Sequence, residues 1–194
     1  MKNVIQIIIL VVIVSCNSKK NTDGLITDEE FEYCSELKYN KAINLGPANG
    51  KLSDKKNIHS LLEKSLIKEK YLPEISKKGY YLLFDKIKNK EIKADFFDEF
   101  KKDLGFDPYL QFPLMSRLQC YNIITVREKM EGITIDKTNW QYQLMEAYWQ
   151  IEAAGDLTFE DDNLKNVLNK IPEDKFQLIM YRKLFLDIIY FNLN

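Results

Sequence analysis

Closely spaced helix start and stop signals constrain the fold of this chain more than any other feature of its sequence. Thr27-Asp28-Glu29-Glu30 has the pattern of a capping box, in which the threonine hydroxyl and the glutamate carboxylate each accept a hydrogen bond from the other residue's backbone N–H. Gly46-Pro47 then predicts the end of this first helix. Signals of the same kind recur along the whole chain, so we expect many short helices.

Eight helix starts are predicted, near residues 28, 53, 73, 95, 113, 137, 158 and 172. Each precedes apolar residues at helical spacing, as after Ser53, where Ile58, Leu62 and Leu66 share one face. No residue pattern recurs at a fixed period, so a tandem-repeat fold is not indicated. The sequence therefore predicts an all-α fold of about eight helices in a single globular orthogonal or hairpin-stacked bundle.

Two segments also have features of β-strands. The continuous aromatic run of residues 79–84 resembles a buried strand, and Ile133-Thr134-Ile135 alternates like a very short one. We favour helix for residues 79–84 because the neighbouring segments are helical and no partner strand is evident. A three-residue strand on its own contributes little stability.

The predicted C-terminal helix, residues 173–191, is apolar on nearly all sides, and we expect it to be the central or docking helix of the fold. Arg182, Lys183 and Asp187 interrupt its apolar surface and argue against a membrane span, since charged side chains are costly inside a bilayer. Lys183 and Asp187 are spaced for an ion pair on one helix face.

The predicted helix from Trp140 to Ala154 has two apolar faces rather than one. Such a helix is either sandwiched in the core or presents an aromatic face to a partner. Aromatic residues and methionine are enriched at binding surfaces, so the candidate partner interface consists of Tyr142, Met145 and Trp149.

The N-terminal residues have the layout of an export signal. Lys2 precedes the apolar run Val4–Val14, whose 11 residues are too few for the roughly 20 that a membrane-spanning helix needs. Ile13-Val14-Ser15-Cys16 resembles the lipobox of bacterial membrane lipoproteins, although Ile13 stands where leucine is commonest in that family. An ordinary cleaved signal or a buried apolar N-terminus is the alternative interpretation.

The resemblance to lipoproteins implies three segments and a location. Residues 1–15 would be a removed signal peptide, residues 16–26 a lipidated Cys16 with a flexible tether, and residues 27–194 the helical domain. Several acyl chains anchor a protein far more firmly than one. The membrane would thus be one partner, through lipid on Cys16. The residues after Cys16 lack the acidic run of some surface-exported lipoproteins, which favours the periplasmic face of the cell envelope.

Cys34 and Cys120 remain as a pair once Cys16 is assigned to lipid. In an oxidising compartment such a pair can form a disulfide, but both also lie on apolar helix stripes, where a free cysteine behaves as a small apolar residue. A catalytic thiol is disfavoured because neither cysteine has a flanking histidine or a Cys-x-x-Cys partner.

The sequence contains no pattern typical of a catalytic, metal or cofactor site. Its 28 basic and 29 acidic residues are nearly balanced, which does not favour nucleic-acid binding. We expect the single histidine, His59, to be exposed or at the boundary of the core. The acidic clusters at residues 28–30, 95–99 and 160–162 fall at helix starts, where the helix dipole favours carboxylates.

Three functional hypotheses remain, and a non-enzymatic role is favoured among them. The first is a lipid-anchored module that binds a protein partner, with a toxin-blocking immunity lipoprotein as a specific version. The second is an envelope hydrolase that uses dispersed carboxylates. The third is a structural accessory subunit of an envelope or secretion complex.

Overall fold

The computed structural model describes residues 25–45, 50–112, 120, 122, 126, 129–132, 134–155 and 157–194, with side chains excluded for residues 38–45. The predicted signal peptide, Cys16 and the tether up to residue 24 lie outside these described residues. The all-α prediction is confirmed, since the described residues contain helices and no strand. Of the predicted helix near residues 113–130, residues 120, 122, 126 and 129–130 are described and are helical.

Ten helical elements have defined bounds in the described residues, rather than the predicted eight or so. They are the α-helices α1 (Asp28–Leu45), α2 (Leu52–Lys56), α3 (Ile58–Lys68), α4 (Lys77–Lys88), α5 (Phe96–Leu104), α6 (Trp140–Ala153), α7 (Asn163–Asn169), α8 (Glu173–Phe176) and α9 (Ile179–Leu193), and a 3₁₀ turn at Tyr109–Gln111.

Two predicted helices are each split and the 3₁₀ turn is a further element, whereas the predicted helix near residues 113–130 is not among the ten. Asn57 leaves helical geometry (φ −103°, ψ 16°) and separates α2 from α3. The predicted helix 173–191 is divided at Gln177 and Leu178, where the Arg182 guanidinium donates hydrogen bonds to the carbonyls of Phe176 and Gln177, both at 2.7 Å. A side chain from the next helix thus satisfies the carbonyls at the end of α8.

Local signals correctly placed several helix ends. The backbone N–H of Thr27 donates to Glu30 Oε2 at 2.9 Å, and the N–H of Glu30 donates to Thr27 Oγ1 at 3.1 Å, which confirms the capping box. Gly105 ends α5 in the left-handed conformation (φ 74°). Residues 79–84 are helical as predicted, but α4 begins at Lys77 rather than near residue 73, because Ser76 Oγ caps the helix by accepting from the Gly79 N–H at 3.0 Å.

The predicted start of the helix near residue 158 is also wrong. Helix α7 begins at Asn163 rather than Phe159, because the Asp161 carboxylate accepts from the Asn163 N–H at 2.8 Å and holds residues 160–162 in a bend ahead of the helix. Residues 134 and 135, which alternate like a strand in the sequence, belong to no strand in the structure.

Helix α9 lies at the centre of the core, as predicted. Every residue from Met180 to Tyr190 except Lys183 is buried, and α3 packs along it with Ile58, Leu62 and Leu66 fully covered. Within the described ranges, no helix has the length and apolar character needed to cross a membrane. The burial of both apolar and charged α9 side chains places polar groups deep in the protein.

Candidate functional site

The predicted partner surface on α6 is only partly accessible. Met145 is 1% exposed and belongs to the core, because α6 is covered on the side that carries it. Tyr142 and Trp149 are half-buried and pack against the core. A partner interface therefore stays a prediction for Tyr142 and Trp149, while Met145 serves the packing of the free protein.

A shallow groove of about 210 Å³ runs beside Tyr142. Its lining includes Gln143, Glu146 and Ala147, with Lys137 and Lys170 also bordering it. The Lys137 ammonium lies 6.0 Å from the centre of the Tyr142 ring, at the outer limit of a cation–π contact. One aromatic face among charges of both signs is typical of the polar rim of a protein contact.

His59 is buried, so the prediction of an exposed or boundary histidine is wrong. Its side chain is 2% exposed, and its Nε2 lies 2.7 Å from Asp187 Oδ1 on α9. The ring also makes an edge contact with Phe112, at a centroid distance of 5.0 Å. The sequence did not reveal this pair because its two members are 128 residues apart.

One turn further along α3, a buried ion pair joins the same two helices. Arg182 Nε donates to Glu63 Oε1 at 2.6 Å and Nη2 donates to Oε2 at 3.1 Å, a two-pronged contact that suits the planar guanidinium. The Tyr80 hydroxyl donates to Glu63 Oε1 at 2.5 Å. Since His59 pairs with Asp187 and Glu63 with the earlier Arg182, α3 and α9 run antiparallel.

The electrostatics of these contacts favour a protonated Tyr80 phenol and a charged Arg182 guanidinium. Burial raises the pKa of the Tyr80 phenol well above its usual value, and the Glu63 carboxylate raises it further. Burial alone lowers the pKa of Arg182, but its hydrogen bonds to Glu63 and the charge of Glu63 reverse this and raise it overall. We call Glu63, Arg182, Tyr80, His59 and Asp187 the buried polar network; its groups bond one another rather than facing a cleft.

The structure joins Cys34 and Cys120 in a disulfide, with Cα atoms 5.8 Å apart. The bond ties the middle of α1 to helical residue 120, which is fully buried. The sequence left open whether these two cysteines are free or bonded to each other, and the structure contains the disulfide.

The acidic clusters have structural roles where the structure describes their contacts. Asp28 accepts from Lys175 Nζ and from the Tyr181 hydroxyl, each at 2.7 Å, and so fastens the start of α1 to α8 and α9. Asp98 and Glu99 lie in the first turn of α5, as expected. Among the described residues, no group of three or more histidine, cysteine, aspartate or glutamate side chains is arranged to hold a metal ion.

Tyr148 on α6 provides a test of the core. Its hydroxyl is buried and has no hydrogen-bond partner among the described residues, so Tyr148→Phe is expected to leave the free energy of unfolding unchanged or raise it by up to about 1 kcal/mol at pH 8. Tyr80→Phe is the matched control and is expected to cost about 1–2 kcal/mol, because Glu63 loses a donor. Urea unfolding followed by circular dichroism measures both.

The same variant has a predicted pH dependence. Burial raises the pKa of Tyr148 above its usual value of 10.0, and the charges of Glu152 and Asp187 add to this. Above pH 10 the unfolded chain releases the phenol proton while the folded protein keeps it, so wild-type stability falls as the pH rises. Tyr148→Phe should lose less stability between pH 8 and 11; an equal loss in both proteins would contradict this interpretation.

No family model, curated protein or solved structure matches this chain. The function is therefore argued from the chemistry and placement of its own residues.

Proposed function

We propose that this protein is a lipid-anchored interaction module of the bacterial envelope, held at the membrane through Cys16, facing the periplasm and binding a protein partner. The lipobox-like residues 13–16 support the anchor. The all-helical body supports the role of a binding scaffold, of which a toxin-blocking immunity lipoprotein is one specific form and an accessory subunit of an envelope complex another.

The buried polar network is closed to solvent, and this observation favours a binding role over a catalytic one. His59, Glu63, Arg182 and Asp187 are each 5% exposed or less, and each has a charged or hydrogen-bonding partner in the core. A general acid or base must come within hydrogen-bond reach of its substrate. These groups stabilise the contact between two helices, which is a structural task.

The hydrolase alternative requires two carboxylates that face an open cleft, roughly 5–9.5 Å apart for glycoside cleavage. Among the described residues, the buried carboxylates Glu63 and Asp187 each face a basic side chain instead. This arrangement favours the interaction module over the hydrolase.

Lipidation is tested by Cys16→Ala in the full chain, expressed in cells fed labelled palmitate. We expect the wild-type protein to incorporate label and sediment with membranes, and the variant to lose both properties because it lacks the sulfur that carries the lipid. Ser18→Ala, outside the lipobox-like residues, is the matched control and should behave like wild type. Continued labelling of Cys16→Ala would refute the anchor.

Partner binding is tested by mild purification of the native lipidated protein, followed by mass spectrometry of the proteins that accompany it. Rescue of cells from a recovered toxin would identify an immunity lipoprotein, whereas stable association with a membrane complex would identify an accessory subunit. Recovery of no partner under several mild conditions would contradict the interaction module.

A further inference from the structure

Helix α1 presents apolar side chains to solvent although its other side is firmly attached to the core. Phe31 and Ser35 are buried, and Phe31 stacks on Tyr181 at a centroid distance of 5.0 Å. On the opposite side Tyr33 is 67% exposed and Leu37 is 48% exposed. Residues four apart lie on the same helix face, so these two side chains form one apolar pair on the outer surface.

Carboxylates border this apolar pair. At 100° per residue the outward arc of α1 also contains Glu29, Glu32 and Glu36, all exposed and without an ion-pair partner among the described residues. Residues 28–37 contain five acidic and no basic residues. We call the side chains of Glu29, Glu32, Tyr33, Glu36 and Leu37 the outer face of α1.

The outer face is held rigidly. The capping box fixes the first turn, Asp28 bonds Lys175 and Tyr181, and the Cys34–Cys120 disulfide joins the helix covalently to the core. The 3₁₀ turn at Tyr109–Gln111, which carries two further half-exposed apolar side chains, also packs against α1. A rigid surface with an exposed tyrosine needs little ordering on binding, and tyrosine is enriched among residues that dominate binding energy.

The geometry points to a docking surface for a cationic protein segment, one that presents apolar side chains flanked by lysine or arginine. This inference rests on the proposed function and names the chemistry of its partner. Charge complementarity selects the occupant: a second copy would bring the same carboxylates against this face, and an anionic bilayer would repel them. A basic segment pairs with the carboxylates while its apolar side chains cover Tyr33 and Leu37.

The test places a photo-crosslinking amino acid in the full lipidated chain, in the cells that naturally make it. Tyr33→p-benzoylphenylalanine and Leu37→p-benzoylphenylalanine are expected to give an adduct whose partner peptide carries lysine or arginine around apolar residues. Leu52→p-benzoylphenylalanine is the control, since Leu52 is also exposed but lies on another helix. It should not give this adduct.

Charge reversal then tests the complementarity. Glu29→Lys, Glu32→Lys and Glu36→Lys together should reduce the adduct about tenfold, and reversing the basic residues of the crosslinked peptide to glutamate should restore it. Glu99→Lys, Asp103→Lys and Glu131→Lys together are the matched control, because these exposed residues lie elsewhere, and they should leave the adduct unchanged. Circular dichroism must show that both triple variants are folded.

The remaining outcomes overturn the inference. An adduct with lipid, with a second copy or with an acidic segment would contradict a cationic partner, as would no adduct at residues 33 and 37 or an adduct indifferent to charge reversal. Trp149→p-benzoylphenylalanine separates the two proposals. If it gives a protein adduct while residues 33 and 37 give none and palmitate labelling persists, the interaction module is retained and only the docking surface on α1 is refuted. If no position gives a protein adduct, the interaction module and the docking surface are both refuted.

Discussion

Replacing Arg182 with alanine is expected to lower the free energy of unfolding by about 3–5 kcal/mol. The change leaves the Glu63 carboxylate buried without its guanidinium partner, and an unpaired charge in the core is strongly destabilising. It also removes the donor that bonds the carbonyls of Phe176 and Gln177 at the end of α8. Urea unfolding of the oxidised protein, followed by circular dichroism and tryptophan fluorescence, measures the loss.

A variant that removes the whole charged contact serves as the control. Glu63→Leu, Tyr80→Phe and Arg182→Met together should cost less than Arg182→Ala alone, because replacing all members of a buried polar contact leaves no orphaned charge. The two carbonyls of Phe176 and Gln177 still lose their donor, so some cost should persist. A loss below about 1 kcal/mol for Arg182→Ala would show that water reaches Glu63 and would contradict the sealed core.

Removing the disulfide with Cys34→Ser and Cys120→Ser is expected to lower the free energy of unfolding by about 4–5 kcal/mol, since the bond closes a loop of 86 residues in the unfolded chain. A reducing agent should destabilise the wild-type protein by a similar amount and leave the double variant unchanged. Thermal unfolding measured with and without the agent gives both values.

Mass mapping under non-reducing conditions provides the independent check. Protein isolated from the cells that naturally make it should yield a peptide that joins Cys34 to Cys120. If both thiols are found free, neither the expected stability loss nor the rigid attachment of α1 holds.

The elements that the sequence located correctly are those specified by neighbouring residues. The capping box at Thr27 and the glycine stop at Gly105 each act through bonds between residues within four positions of one another. The helical state of residues 79–84 followed from their helical neighbours.

The boundaries that the sequence missed depend on distant or competing contacts. The break between α8 and α9 uses the side chain of Arg182 from the following helix, and the late start of α7 reflects the turn made by Asp161. A pattern of apolar spacing contains neither interaction, because it records which residues face the core and not which polar groups meet there.

The residues of the candidate site also divide into those that the sequence predicted and those that only the structure located. Cys34 and Cys120 were recognised as the remaining pair by counting, but two alternatives stayed open until the structure brought α1 beside residue 120. Of the three residues predicted to meet a partner, Met145 turned out to face the core. The outer face of α1 was missed because the apolar residues of this helix, Leu37 among them, give no sign of which side is covered.

The sequence by itself determined that the chain is all-α, where most of its helices begin and end, and that the last helix is the most apolar. These properties follow from local hydrogen bonding and from the spacing of apolar residues. Only the tertiary structure decided that His59 pairs with Asp187 and Glu63 with Arg182, because side-chain contacts between residues more than a hundred positions apart depend on how α3 and α9 pack. The same packing covers one side of α1 and leaves the other, with its carboxylates and its tyrosine, facing solvent.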